Sequence, residues 1–389
     1  MNKENRNIGL LLIRGQTTNL GNIIFDYGNK LLIAGLARNA NFFMTFYQSS
    51  EALIRLIFNL FAGHLADFGN RKRLLFVTDL IAGTLTFLLF LYYDPQNIWV
   101  LIIINVLLAV LFSFNVPAYK AITKDLLSQK GIYRYNATAK VIAEIIAVGA
   151  PLLAMLVIKQ FGFKYGMLID ALSFFISALC ENNFVILHEV PTVKATFITG
   201  LKAGLHYIAA RKGLLIILIS SAFLNFLDAI YSFYLPFTAT FSGFSHIYAY
   251  ILIAQSLGSV LGALFVSIYK IQLAPKSFFH LLLPASLALI LIGFVCSSQP
   301  LLLLLFGLFS GAVTTFNISL MSYLQASVDS RFLGRVFSII FTISGIFIPL
   351  GSVTAAMIDF KSWQVFQLIG CGQLLIYLVC FPAIRRIMS

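Results

Sequence analysis

The chain has 389 residues, 60% hydrophobic and 11% charged, with a mean hydropathy of +0.92 and a formal net charge of +13. A soluble domain is nearer half apolar and a quarter charged, so this composition excludes a soluble enzyme, a disordered chain and a secreted disulfide scaffold. It demands a polytopic helical membrane protein: about 20 residues carry a helix across a ~30 Å hydrocarbon core, and twelve such spans use roughly 240 residues.

Six apolar segments are predicted near residues 8–36, 41–66, 73–93, 98–119, 136–159 and 165–187. The first opens with Leu10–Ile13, is interrupted at once by Arg14 and Gln16, and is followed by no small-x-small cleavage site; it reads as a retained span, not a signal peptide. Asn19, Asn22, Asp26, Asn29 and Lys30 then share one helical face. A charge at mid-membrane costs about 2.5–3.5 kcal/mol, so we read that face as cavity lining, with a buried structural network as the alternative. Span two carries Glu51 one turn from Arg55, and span five carries Glu144 one turn from Lys140; pairs at i,i+4 can simply neutralise each other. Between spans two and three runs Gly63-His64-Leu65-Ala66-Asp67-Phe68-Gly69-Asn70-Arg71-Lys72-Arg73, an acid followed by a basic cluster. Span six contains Ile169-Asp170-Ala171-Leu172-Ser173-Phe174.

Residues 188–212 separate this set from six more apolar segments, near 213–237, 246–269, 278–297, 300–324, 335–358 and 363–384. The predicted organisation is a bundle over 1–187, a connection over 188–212 and a second bundle over 213–389. Within the connection Phe197, Leu201, Leu205 and Ile208 fall on one face with Lys194, Lys202 and Arg211 nearby, the pattern of a helix lying on a membrane surface or of an ordinary linker helix. In span seven Asp228 has Leu224, Asn225, Tyr231 and Ser232 at the neighbouring helical positions and no base among them. Of the intramembrane carboxylates singled out here, it is the least explained by local pairing. Tyr231 and Tyr234 beside it are the best aromatic cavity candidates. Gly258-x-x-x-Gly262 and Gly307-x-x-x-Gly311 are expected to serve close helix packing. Three pairs recur at one offset of 202 residues: Asp26 with Asp228, Asn115 with Asn317, and Gly149 with Gly351. Such an offset points to an internal duplication, and parallel six-helix repeats are one way to build a central, alternately exposed site.

Nineteen of the 27 Lys and Arg residues fall in the termini and loops on one side, against four (Arg38, Lys159, Lys164 and Lys361) on the other. This split places both termini and the 188–212 connection in the cytoplasm, and leaves no coherent basic domain for nucleic acid. Cys180, Cys296, Cys371 and Cys380 lie in apolar stretches and read as small buried hydrophobes. The five histidines are scattered over different segments, and no phosphate-binding Gly-x4-Gly-Lys-Ser/Thr loop or Gly-x-Ser-x-Gly elbow occurs. No cofactor, metal or enzymatic chemistry is expected.

The Gly63–Arg73 segment resembles the signature loop of the major facilitator superfamily, in a shorter Asp-x-x-Asn-Arg-Lys form. Asp170-Ala171-Leu172-Ser173-Phe174, Gly334-Arg335-Val336-Phe337-Ser338, Pro117-Ala118 and Gly204-Leu205-x-Tyr207 resemble its drug:proton antiporter branch with macrolide-efflux and siderophore-export proteins. Span four has Asn105 and no arginine, where many drug antiporters carry one; Gly149-Ala150-Pro151 only half matches their Gly-Pro-rich motif. The resemblance implies an all-α integral membrane fold of twelve transmembrane helices in two pseudo-symmetric six-helix bundles, acting as a single chain in the cell membrane. It implies a proton-coupled exporter of an amphipathic small molecule, drug-like or siderophore, without a cofactor. A solute importer on the same fold and a non-transporting receptor or scaffold are the other readings. On this basis Asp228 is the expected proton-coupling residue, with Asp26 and then Glu144 behind it. Asn19, Asn22, Asp26, Lys30, Asn225, Tyr231 and Tyr234 are the expected substrate cavity. The resemblance also implies a conformational latch, with Gly63 against span eleven and Asp67 near its N-terminus at Gly334 and Arg335, and Arg71 as a further partner. A helix N-terminus favours a carboxylate by about 0.3–1 kcal/mol when exposed.

Overall fold

A computed structural model describes residues 3–68, 70–94, 97–187, 205–269, 275–328, 330–358 and 362–387. Among them are twelve helices of eleven residues or more. The first six are α1 (Lys3–Ala34), α2 (Ala40–Phe68), α3 (Arg71–Leu91), α4 (Ile98–Leu126), α5 (Gln129–Phe161) and α6 (Phe163–Asn182). The second six are α7 (Lys212–Tyr234), α8 (Ile247–Tyr269), α9 (Leu282–Ile292), α10 (Gln299–Ser327), α11 (Ser330–Met357) and α12 (Gln364–Ile387). Eight of the helices are long and apolar enough to cross a membrane; α1, with its polar face, is not one of the eight.

Helix starts and stops follow local chemistry. The Asn70 side chain accepts from the Arg73 N–H at 3.1 Å and caps α3, and Ser128 accepts from the Gly131 N–H at 3.2 Å and caps α5. The single residue between α5 and α6 is Gly162, whose φ of 89° lies in the region glycine enters without strain. The segment predicted as one span over 278–297 begins instead as a short helix, Pro275–Phe279, and resumes at Leu282. Pro284 is the reason: it has no N–H to offer the His280 carbonyl, which bonds the Leu283 N–H at 3.1 Å instead, one residue short of the α-helical register. Of the 188–212 connection, residues 188–204 lie outside the described ones, including Lys194, Phe197, Leu201 and Lys202; residues 205–209 are helical.

The chain divides into two compact units, Met1–Lys194 and Ala195–Ser389. In the first, α1 packs on α5 and α6, α3 packs on α4 and α6, and α2 packs on α4. In the second, α7 packs on α11 and α12, α9 packs on α10 and α12, and α8 packs on α10. Adding six to each helix number of the first set generates the second, so the duplication at an offset of 202 residues is repeated in the packing. α8 and α10 approach each other closely. A side chain placed on Gly258 would strike the Gly307 backbone, and one on Gly262 would strike Gly311. Ser259 and Ser310 hydroxyls meet at 2.7 Å across the seam that these glycines open.

Candidate functional site

The polar face of α1 opens onto a cavity of about 390 Å³ inside the first unit. Asn22, Asp26 and Lys30, one turn apart along the helix, line it together with Tyr47 and Glu51 of α2 and Asn105 of α4. Phe25, Leu108, Phe112 and Val116 supply apolar wall. The Lys30 ammonium lies 2.8 Å from Asp26 Oδ2. The Tyr47 hydroxyl donates to Asp26 Oδ1 at 3.1 Å and accepts from the buried Asn29 amide at 3.2 Å. The Asn105 amide donates to the Tyr47 carbonyl at 3.2 Å, which ties α4 to α2 behind the site. Glu51, one turn along α2 from Tyr47, acts electrostatically on both Lys30 and Tyr47. The site therefore holds two carboxylates, one ammonium and a phenol against an apolar wall. Among the described side chains that line it, acids outnumber bases by one, and the Arg55 side chain, one turn from Glu51, lies outside them.

Of the residues expected from the sequence, Asn22, Asp26 and Lys30 are brought together here; Asn19 is half-buried on the same helix. Tyr47, Glu51 and Asn105 were not expected as cavity residues. Glu51 had been balanced against Arg55, whose side chain lies outside the described residues, and Asn105 is a lone amide in an apolar run. Glu144 is paired with Lys140 at 2.5 Å on α5, as the i,i+4 spacing allows.

A second polar cluster lies elsewhere in the same unit. Arg14 Nε donates to Glu181 Oε1 at 2.9 Å, and its terminal nitrogen donates to Asp79 at 3.2 Å and Asn115 at 2.5 Å. The Asn115 amide donates to Asp79 Oδ1 at 2.7 Å and Thr78 at 2.8 Å, and Ser177 donates to Asp79 Oδ2. The guanidinium sits 4.1 Å over the Tyr119 ring. The sequence marks Arg14 only as the residue that interrupts the first apolar run, and nothing local marks Asp79 and Glu181, although each is a charge within a predicted span. At the end of the bundle Arg71 meets both oxygens of Asp125 at 2.9 Å. Gly63 and Asp67 lie toward the end of α2, and Gly334 and Arg335 in the first turns of α11, but their side chains lie outside the described residues.

In the second unit Asp228 is exposed midway along α7, and among the described residues it has no ion-pair partner. Asn225, half-buried, turns its amide back to the Ser221 carbonyl at 2.8 Å. The two tyrosines expected to line a cavity pack the bundle instead. Tyr231 is buried among Phe306, Phe309 and Phe366, with its hydroxyl bonded by Gln255. Tyr234 is fully buried, its hydroxyl 2.7 Å from the Ala355 carbonyl and against that of Ile358. Each ring is buried with its hydroxyl bonded, as a buried tyrosine requires. Among the described residues no group of three or more His, Cys, Asp or Glu is placed to hold a metal.

A sequence profile of the Major Facilitator Superfamily matches residues 31–352. Macrolide efflux protein A of Streptococcus pyogenes is 23% identical over 354 residues, 85% of this chain and 84% of that protein. Among solved structures, the nucleoside transporter NupG aligns with a TM-score of 0.72 at 16% identity, covering 99% of both chains. A peptide transporter POT in complex with sulfate aligns with a TM-score of 0.77 at 14% identity, covering 98% of this chain and 95% of that one. A bacterial homologue of the human lysosomal transporter Spinster aligns at 0.74 with 13% identity over 100% and 98%. At these identities the solved structures establish the fold.

Proposed function

The chain belongs to the major facilitator superfamily of membrane transporters, and we propose that it exports an amphipathic organic cation in exchange for protons. The observation that carries this reading is the cavity of the first unit. Asp26 and Glu51 offer carboxyl groups to a cation, and Phe25, Phe112 and Leu108 give a greasy one a wall to lie on. The likeness to a macrolide efflux protein supports outward transport. The basic residues, concentrated on one side, support a cell-membrane protein with both termini in the cytoplasm.

In the mechanism we infer, Lys30 and the Tyr47 hydroxyl hold Asp26 in place in the empty site, and an incoming cation competes with Lys30 for the carboxylates. Asp228 is the proton carrier. It is exposed on α7, has no basic neighbour on its own helix, and stands 202 residues from Asp26, in the corresponding helix of the repeat. It takes a proton while open to the outside and releases it inward. The test is Asp228→Asn in proteoliposomes. Gradient-driven transport of a lipophilic cation is lost, while exchange of the same compound survives because exchange needs no net proton movement. Full gradient-driven transport by the variant moves the coupling role to Asp26 or Glu144.

A further inference from the structure

α6 carries a polar face that the cavity does not use. Asp170, Ser173, Ser177 and Glu181 stand at i, i+3, i+7 and i+11, so they share one side of the helix, and all four are buried, Asp170 and Glu181 completely. The face packs against α1 and α3. Gly21 of α1 makes room for its upper end: a side chain there would come 3.0 Å from Asp170 Oδ1. Its other end is the Arg14 cluster.

Charge and hydrogen-bond valence do not balance along this face if every acid is ionised. Arg14 is one positive charge facing two carboxylates, Asp79 and Glu181. Asp79 is well supplied as an acceptor, with bonds from Arg14, Asn115 and Ser177 spread over both oxygens. An acceptor so fully used is what an ionised carboxylate requires. Glu181 accepts only through Oε1, and its buried Oε2 has no hydrogen-bond partner. Asp170 is more exposed in its chemistry still: neither carboxylate oxygen has a partner, and among the described residues no base pairs with it. The other titratable or charged groups around the face are Tyr119 of α4, bonded to Tyr135 of α5 at 2.5 Å, and Cys180 of α6 itself. None supplies a positive charge. An unpaired charge in such a place is not tolerated without a counter-charge.

We propose that the α1–α3–α6 interface is a proton-binding site separate from the transport cavity, in which Glu181 and Asp170 each hold a proton while Asp79 is the ionised partner of Arg14. Protonated Glu181 leaves the Arg14 cluster neutral and gives Oε2 a hydrogen. Protonated Asp170 removes the uncompensated charge beside Gly21. The proposal concerns protonation alone and stands whichever substrate the transporter carries and in whichever direction.

Infrared spectroscopy of the purified full-length protein tests it through the carbonyl stretch of protonated carboxylic acids. Glu181→Gln and Asp170→Asn each remove one component of that band, and both variants melt within about 4 °C of the parent, since an amide reproduces the shape and neutrality of the acid it replaces. Asp79→Asn, which strips Arg14 of its ionised partner, melts at least about 8 °C lower. The band of the parent also shifts when its Asp or its Glu carboxyls are labelled with carbon-13, a measurement that needs no variant. The proposal is overturned if neither variant nor label alters the band, or if Glu181→Gln loses as much stability as Asp79→Asn.

Discussion

Lys30 is the residue on which the substrate reading turns. It neutralises Asp26 at 2.8 Å and lies within the field of Glu51, so its removal releases the Asp26 carboxylate to a ligand. For a cationic substrate Lys30→Gln therefore strengthens binding, by roughly threefold to tenfold if the pair is worth about 1 kcal/mol in its half-exposed setting. Ligand binding to the purified protein checks it; weaker binding of every cation tried, with retained binding of an anion, reverses the assignment. The α1 half of this site was legible because its five polar residues obey a helical period that a lipid-facing span has no use for. The α2 and α4 half was not. Asn105 is a single polar residue in an apolar run, Tyr47 stands in a mixed stretch beside Gln48, Ser49 and Ser50 with no period to single it out, and only packing brings the Asn105 amide within 3.2 Å of the Tyr47 carbonyl. The Arg14 cluster was hidden for a related reason: its members are 65 and 167 residues apart, beyond the reach of any local pattern.

At the scale of helices, sequence equivalence and structural equivalence part company clearly at one glycine pair. Gly149 and Gly351 match across the repeat. A side chain on Gly149, in α5, would meet nothing within 4 Å, whereas one on Gly351, in α11, would come 2.8 Å from the Ala229 Cβ of α7 and strike the Phe226 carbonyl. Gly149→Ala is expected to stabilise by about 0.4–1 kcal/mol through helix propensity. Gly351→Ala is expected to destabilise by about 1–3 kcal/mol through overpacking. Thermal unfolding in detergent distinguishes them, and equal effects of the two changes contradict the packing described for α7 on α11. The spans themselves were readable from hydropathy, with ends displaced by up to seven residues at α4 and α5, because a helix in lipid must satisfy its own backbone. The division of the ninth at His280–Leu281 was not, since a proline in an apolar run bends, breaks or starts a helix according to its neighbours.

For the whole molecule the expectations are about sides and states. A cysteine at position 71 is reached by an impermeant reagent only from the cytoplasm and one at position 164 only from outside; labelling of Arg71→Cys in intact cells, with Lys164→Cys protected, reverses the orientation. Asp67→Asn is expected to shift the balance between inward- and outward-open forms and to slow transport, read by accessibility and by flux; unchanged balance and rate remove the latch. The buried Arg14 has a further consequence, for the order in which the protein is made. Its partners Asp79 and Glu181 emerge 65 and 167 residues later. At about 5–20 residues per second the guanidinium waits roughly 8–33 s for its last partner. Until then α1, which is not among the helices apolar enough to span a membrane unaided, carries a charge that lipid rejects. Of the first unit's helices α1 is thus made before its partners and among the last to settle, and insertion of that unit is a collective event closed by α6.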